Sequence, residues 1–178
     1  MKNLPLALTI LRIILGPIIF LLIVYFQAFM VAFYLFLIAA LSDYYDGMLA
    51  RKYNLQSKLG EILDPIGDKL LLLFSLFSLV LVFNNFYIGA ISSLMLGREI
   101  WVSALRDYAS SINNSTVTSV SFLAKIKTTF QFLAISLYIV GLALDNALII
   151  FIAGFVLFVA LLLSIKTALD YSIKIFKF

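Results

Sequence analysis

Residues Asp43 to Asp68 read DYYDGMLARKYNLQSKLGEILDPIGD, and the rest of the chain is arranged around this stretch. Asp43 and Asp46 are three positions apart near the end of one strongly apolar segment. Asp64 and Asp68 are four positions apart at the start of the next. Each pair therefore shares one face of its helix. The polar link between the segments allows them to pack antiparallel, with the two pairs facing each other.

Four carboxylates beside hydrocarbon need compensating positive charge. Arg51 and Lys69 are near in the sequence, but carboxylate oxygens are also the ligands that hard divalent cations prefer. The stretch therefore predicts a site for two metal ions, with the ligands Asp43, Asp46, Asp64 and Asp68. The alternatives are a proton or cation pathway, or ordinary snorkelling near the membrane interface.

The composition is typical of a helical membrane protein. Of the 178 residues, 64% are hydrophobic and 12% charged, and the mean hydropathy is +1.13. The sequence has no cysteine, which excludes disulfides and thiol chemistry, and no histidine. Any general base must then be a carboxylate, a lysine or a tyrosine.

Six apolar segments are long enough to cross a ~30 Å hydrocarbon core as helices. Their predicted bounds are 5–27, 29–50, 62–83, 86–109, 121–143 and 146–168. They make an all-α integral membrane protein with one domain, residues 1–178. The links near residues 27–28, 84–85 and 144–146 are very short, whereas the other links and both termini are longer and polar.

The positive charges divide the two sides of the membrane. All 13 lysines and arginines lie in the half of the chain near the termini and the long links, and none is in a short link. By the positive-inside rule, both termini and the long links are predicted to be cytoplasmic. The acidic cluster then lies at the cytoplasmic end of the second and third segments.

The full spacing of the central stretch is D-x2-D-G-x2-A-R-x8-G-x3-D-x3-D, formed by Asp43, Asp46, Gly47, Ala50, Arg51, Gly60, Asp64 and Asp68. Gly47 and Ala50 leave a bare patch beside the carboxylates, where a flat ligand can approach the backbone. This pattern resembles the signature of the CDP-alcohol phosphatidyltransferases, with every signature position filled. The resemblance implies two Mg²⁺ or Mn²⁺ ions on the four aspartates, with Asp68 also acting as general base.

The resemblance also implies a binding site for a CDP-lipid. In that family the first aspartate, the glycine and the alanine of the signature border the cytidine. Upstream, Asn3, Pro5, Thr9 and Arg12 resemble an N-x-P-x3-T-x2-R opening that touches the nucleotide or its phosphates. The implied CDP-lipid site comprises Asn3, Thr9, Arg12, Asp43, Gly47, Ala50, Arg51 and Gly60. For Arg12 alone, the alternative is a snorkelling interfacial arginine.

Two later motifs resemble those of phosphatidylglycerophosphate synthases, a bacterial branch of the family. The first is Gly97-Arg98-Glu99 followed by Ser103, Leu105 and Arg106. The second is Lys125-Ile126-Lys127-Thr128 followed by Gln131, with Ala124 where that branch has glycine. The implied binding site for an acceptor phosphate is Arg98, Arg106, Lys125 and Lys127. Alternatively, Glu99 and Asp107 neutralise part of this charge.

The resemblance thus implies transfer of a phosphatidyl group from CDP-diacylglycerol to sn-glycerol 3-phosphate, giving phosphatidylglycerol phosphate and CMP. It further implies a homodimer among membrane lipid and no nucleic-acid partner. The retained first helix and the bacterial motifs predict the inner membrane, and the positive-inside rule predicts an active site on its cytoplasmic side. One rival is a family member with another acceptor: inositol phosphate, serine or phosphatidylglycerol. The other is a small metal-ion carrier built on the same aspartates.

Overall fold

The computed structural model describes residues 4–53, 58–111 and 122–176, and at residues 4, 5, 43–53, 58 and 61 it describes the backbone alone. These ranges form six α-helices and contain no strand, which confirms the predicted all-α fold. The helices are α1 (Leu4–Val24), α2 (Phe29–Tyr53), α3 (Lys58–Phe83), α4 (Phe86–Ser111), α5 (Phe122–Ala143) and α6 (Ala147–Phe176).

Within the part of the chain that the structure describes, five helices are long and apolar enough to cross a membrane. The candidate spans are Leu6–Val24, Ile62–Phe83, Phe86–Ser111, Phe122–Ala143 and Ala147–Phe176. In α2 the described side chains form a shorter apolar run, Phe29–Ser42, although the helix itself has 25 residues. The chain is a multi-pass membrane protein, and the side that each end faces stays a prediction.

The helix α3 begins at Lys58, four residues before the predicted start at 62. It continues through Pro65, so Asp64 lies inside the helix and does not cap its N-terminus. Proline removes one backbone hydrogen bond there but does not end the helix. As a result, Asp64 and Asp68 lie one turn apart on a continuous helical face.

The helix α6 differs most from its predicted bounds. The predicted segment ended at 168, and the helix continues to Phe176. The additional turns are held by apolar contacts, because Tyr171 and Ile175 form a small buried cluster with Val102 and Ala109 of α4. This extension brings the end of α6 alongside the polar end of α4.

The three short connections that the sequence predicted are confirmed. Each contains one residue with positive φ: Gln27 at 51°, Asn84 at 43° and Asp145 at 46°. A single residue in the left-handed region reverses the chain after a helix, and asparagine and aspartate tolerate it better than most side chains. All three tight turns join consecutive helices at the same end of the bundle, which is called the turn end below.

The helices form a closed ring in the order α1, α2, α5, α6, α4, α3. Fully buried apolar side chains from every helix fill its centre: Ile19, Phe36, Leu76, Met95, Ile135 and Leu157. The contact between α1 and α3 is especially close at Gly16, where a Cβ atom would lie 3.1 Å from Phe74 Cδ2. This close contact holds α1 against α3, the helix that carries Asp64 and Asp68.

Candidate active site

The buried charged groups that the structure describes lie at the end of the bundle opposite the tight turns, called the polar end below. Thr9 and Arg12 of α1 lie here against Asp64 and Asp68 of α3. The hydroxyl of Thr9 donates a hydrogen bond to Asp64 Oδ1. Arg12 forms a hydrogen-bonded ion pair with Asp68, and its second terminal nitrogen lies 3.9 Å from Asp64 Oδ1. We call these four side chains the carboxylate wall.

Arg12 does not snorkel, because its side chain is 0% exposed. A buried guanidinium is costly unless it is paired, and the two carboxylates of α3 supply that pairing. The carboxylates themselves remain accessible, since the side chains of Asp64 and Asp68 are 48% and 43% exposed. The carboxylate oxygens of Asp64 and Asp68 are therefore accessible, whereas the guanidinium of Arg12 that pairs with them lies inside the protein.

The structure describes only half of the predicted metal site. Asp64 and Asp68 lie one helical turn apart on α3, and both contact Arg12. Asp43 and Asp46 lie on the described backbone of α2, but their side chains are outside the described residues, as are those of Gly47, Ala50 and Arg51. Asn3 lies wholly outside, whereas Gly60 is buried in the first turn of α3.

A second cluster lies on α4 and α5, and Glu99 is its centre. The carboxylate of Glu99 accepts a hydrogen bond from Lys127 Nζ and lies 3.2 Å from a terminal nitrogen of Arg98. Both cations are buried. We call Arg98, Glu99 and Lys127, together with Arg106, the cation wall. Glu99 therefore neutralises part of the basic charge, which is the alternative role that the sequence left open.

The guanidinium of Arg98 forms its hydrogen bonds within the protein. Its Nε donates a 2.8 Å hydrogen bond to the backbone oxygen of Ser164, and another nitrogen donates to Thr167 Oγ1. With Glu99, these contacts occupy all three nitrogens of the guanidinium. Arg98 thereby fixes α4 to α6 and holds Glu99 in front of Lys127.

The other two predicted cations have different surroundings. Arg106 lies over the ring of Tyr171, with Cζ 5.0 Å from the ring centroid, and donates a 3.0 Å hydrogen bond to its hydroxyl. Lys125 is exposed, whereas Lys127 is buried, because two residues along a helix point to opposite sides. The structure thus brings three of the four predicted cations to one region and leaves Lys125 apart.

Lys69 connects the two walls, and the sequence did not single it out as a site residue. It follows Asp68 on α3, and its ammonium donates a hydrogen bond to Ser103 Oγ on α4. Hydrogen bonds therefore run from α1 through α3 to α4, and on to α5 and α6 through Glu99 and Arg98. The two walls form one continuous polar layer.

Other members of this layer were also missed. On α6 the polar residues Ser164, Thr167 and Tyr171 recur at helical spacing within an apolar segment, a signal that would have found them. On α5 Gln131, which the second motif includes but the predicted site does not, is 2% exposed and lies beside Glu99. It lies one turn after Lys127, so it shares the face of the cation wall.

Comparisons with known proteins identify the family of this chain. The sequence model of the family described as CDP-alcohol phosphatidyltransferase matches residues 2–166. A protein of Wigglesworthia glossinidia brevipalpis named CDP-diacylglycerol–glycerol-3-phosphate 3-phosphatidyltransferase is 37% identical over 174 residues, which cover 95% of this chain and 92% of that protein.

Two other relatives carry the same name. The protein from Salmonella choleraesuis is 35% identical over 138 residues, 75% of either chain. The protein from Shigella flexneri serotype 5b is 31% identical over 172 residues, 95% of this chain and 92% of its own. The family model covers both walls and extends to Lys166 within α6, so this chain belongs to the CDP-alcohol phosphatidyltransferase family.

Proposed function

We propose that the protein transfers the phosphatidyl group of CDP-diacylglycerol to sn-glycerol 3-phosphate, giving phosphatidylglycerol phosphate and CMP. The names of the three relatives support these substrates. The observation that carries the proposal is the polar layer, in which a carboxylate wall and a cation wall lie side by side at one end of the bundle. The first suits a metal-bound diphosphate, and the second suits an acceptor that carries a phosphate.

The carboxylate wall fits the divalent ions that this family implies. Asp64 and Asp68 offer hard oxygen ligands one turn apart, and both side chains are close to half exposed. With Asp43 and Asp46 they would hold two Mg²⁺ or Mn²⁺ ions. When bound, the ions supply positive charge that stabilises the attacking and leaving oxygens of an in-line displacement.

The CDP-lipid would bind along the starts of α1 and α3 and the end of α2. The proposed contacts are Asn3, Thr9, Arg12, Asp43, Gly47, Ala50, Arg51 and Gly60. Thr9 and Arg12 have a further role, because both hold carboxylates of the wall in position. The acyl chains would lie in the bilayer against the apolar faces of the helices.

The acceptor phosphate would bind at the cation wall. Of the four cations, Lys127 and Arg106 are proposed to contact it directly, and Arg98 to hold Glu99 and Lys127 in place. Lys125 would contribute charge from the exposed side of α5. A phosphate competes well for Lys127, because ammonium groups form strong charge-assisted hydrogen bonds with phosphate oxygens.

Asp68 is the proposed general base. Its ion pair with Arg12 holds the carboxylate in a fixed position on α3, where an oxygen can accept a proton. Asp68 takes the proton of the acceptor's free hydroxyl while the hydroxyl oxygen bonds to the phosphorus that carries diacylglycerol. The bond from this phosphorus to the bridging oxygen breaks, and CMP leaves with the electron pair.

The test is CMP release by purified protein in detergent, given CDP-diacylglycerol and Mg²⁺. Glycerol 3-phosphate, inositol phosphate, serine and phosphatidylglycerol are offered one at a time, with and without EDTA. We expect EDTA-sensitive release with glycerol 3-phosphate alone. Release with another acceptor alone would overturn the acceptor assignment, and absence of release from folded protein would favour a metal-ion carrier.

The proposed membrane placement is the inner membrane, with the polar end in the cytoplasm and two copies forming a homodimer. The chain lacks cysteine, so single substitutions such as Asn85→Cys at the turn end provide unique labels. We expect an impermeant thiol reagent to label this position from outside intact spheroplasts. Labelling only after lysis would reverse the orientation, and a monomeric mass in mild detergent would exclude the dimer.

A further inference from the structure

Lys69 lies between the two walls and belongs to neither. It is half-buried in the membrane-spanning part of α3, one residue after Asp68. One residue along a helix is a rotation of about 100°, so Lys69 points away from α1 and toward α4. There its ammonium donates to the hydroxyl of Ser103. Two consecutive residues of α3 thus supply an acid to the carboxylate wall and a cation to the gap between the walls.

The described partner of Lys69 carries no charge that could balance a cation within an apolar helix. A charge in an apolar helix is normally paired with an opposite charge or directed into a polar cavity. Ser103 is a neutral hydroxyl, and among the side chains that the structure describes no carboxylate forms an ion pair with Lys69. An ammonium has three N–H donors, and among the described residues only the hydroxyl of Ser103 accepts one of them from Lys69.

The surroundings indicate what that ligand is. Ser103 lies four residues after Glu99 and three before Arg106, so Lys69 reaches the α4 face that carries the cation wall. Glu99 is engaged by Arg98 and Lys127. The positive groups along this face therefore outnumber the described acids, and an anionic ligand would restore the balance.

We infer that Lys69 is a substrate-binding residue whose ammonium contacts a phosphate oxygen at the junction of the two walls. This inference rests on the proposed function. Ser103 holds the ammonium in place between the proposed base, Asp68, and the proposed acceptor cations. The contacted oxygen belongs either to the acceptor's phosphate or to the diphosphate of the CDP-lipid, since both groups meet at this junction.

The test compares Lys69→Met, Lys69→Arg, Ser103→Ala and the double variant Lys69→Met/Ser103→Ala. The matched controls are Lys166→Met, at an exposed lysine of α6, and Ser93→Ala, at an exposed serine of α4. Lys69→Met should lower kcat/KM on the order of 10- to 100-fold, the effect of losing a charge-assisted hydrogen bond. Lys69→Arg should recover part of this loss, and Ser103→Ala should cost less than about 5-fold.

Separate titrations identify the source of the oxygen. If KM rises mainly for glycerol 3-phosphate in Lys69→Met, the oxygen is on the acceptor; if it rises mainly for CDP-diacylglycerol, the oxygen is on the diphosphate. Suppose that Ser103→Ala and Lys69→Met lower kcat/KM equally and that the double variant lowers it no further. Lys69 would then only connect α3 to α4, and the inference would be overturned. Wild-type kinetics in Lys69→Met would overturn it as well.

A binding measurement keeps this inference separate from the proposed reaction. Wild-type protein that releases no CMP refutes the proposed function, whatever Lys69 does. Melting temperature is then recorded with glycerol 3-phosphate and with CDP-diacylglycerol for wild type and Lys69→Met. Loss of ligand stabilisation in Lys69→Met alone supports the contact, and equal stabilisation in both proteins overturns it.

Discussion

The turn end and the polar end of this bundle are built on opposite principles. At the turn end, three short connections reverse the chain through single residues with positive φ, and the described residues there contain no ion pair. At the polar end, Arg12, Arg98 and Lys127 are buried, and each is paired with a carboxylate. Buried charge rarely improves stability over apolar packing. We therefore infer that the turn end serves mainly to reverse the chain, and that the charged groups of the polar end serve the reaction.

The largest expected effect is at the proposed base. Asp68→Asn keeps the shape of the side chain but cannot accept the proton, so CMP release should fall by about 10²- to 10⁴-fold. Binding of CDP-diacylglycerol should be largely retained. The matched control is Asp145→Asn at the turn end, where asparagine also tolerates positive φ and activity should stay within about 2-fold of wild type. Near-normal release by Asp68→Asn would refute the base assignment.

Arg12 tests whether the carboxylate wall depends on its buried cation. Arg12→Met leaves Asp64 and Asp68 without the guanidinium, so we expect about 100-fold lower kcat/KM. The free energy of unfolding should fall by about 2 kcal/mol, less than for a fully buried pair because the aspartates are half exposed. Arg12→Lys should restore charge without the forked geometry and recover only part of the activity. Full activity in Arg12→Met would show that the wall forms without it.

The next test ranks two lysines of one motif. Lys127 is buried against Glu99 and Lys125 is exposed, so Lys127→Met should raise KM for glycerol 3-phosphate by about 10-fold or more. Lys125→Met should raise it by less than about 3-fold. Neither change should move KM for CDP-diacylglycerol by a comparable factor. A larger effect at Lys125 would place the acceptor on the opposite side of α5.

The smallest expected effect on activity is at the turn end. Asn146 caps α6, since its Oδ1 accepts hydrogen bonds from the backbone nitrogens of Leu148 at 3.0 Å and Ile149 at 3.2 Å. Asn146→Ala should lower the free energy of unfolding by about 1 kcal/mol and leave kcat/KM unchanged. Thermal melting and CMP release measured on one preparation check both. A large loss of activity in stable protein would remove the distinction between the two ends.

Sequence reasoning predicted the helices better than the polar layer. Long apolar runs and short polar links are local signals, and they located six helices and three tight turns. The end of α6 was missed, although Lys166, Asp170 and Lys174 recur every four residues on the exposed side. That pattern is typical of a helix with one packed face, and here Tyr171 and Ile175 form the packed face.

The partners within the polar layer could not be predicted in the same way. The spacing placed Asp64 with Asp68 because both are on one helix. Which cation meets which acid across helices depends on how each helix is rotated, and a single sequence does not give that rotation. The pairing of Arg12 with Asp68 and the bond between Lys69 and Ser103 are therefore structural findings.

The most direct test of the central claim follows the phosphate of the acceptor. Purified protein is given CDP-diacylglycerol, Mg²⁺ and glycerol 3-phosphate labelled in its phosphate, and label is counted in the chloroform-soluble lipid. The account predicts that label enters lipid in step with CMP release, and that EDTA or Asp68→Asn prevents both. CMP release with all label left in the aqueous phase would contradict phosphatidyl transfer to glycerol 3-phosphate.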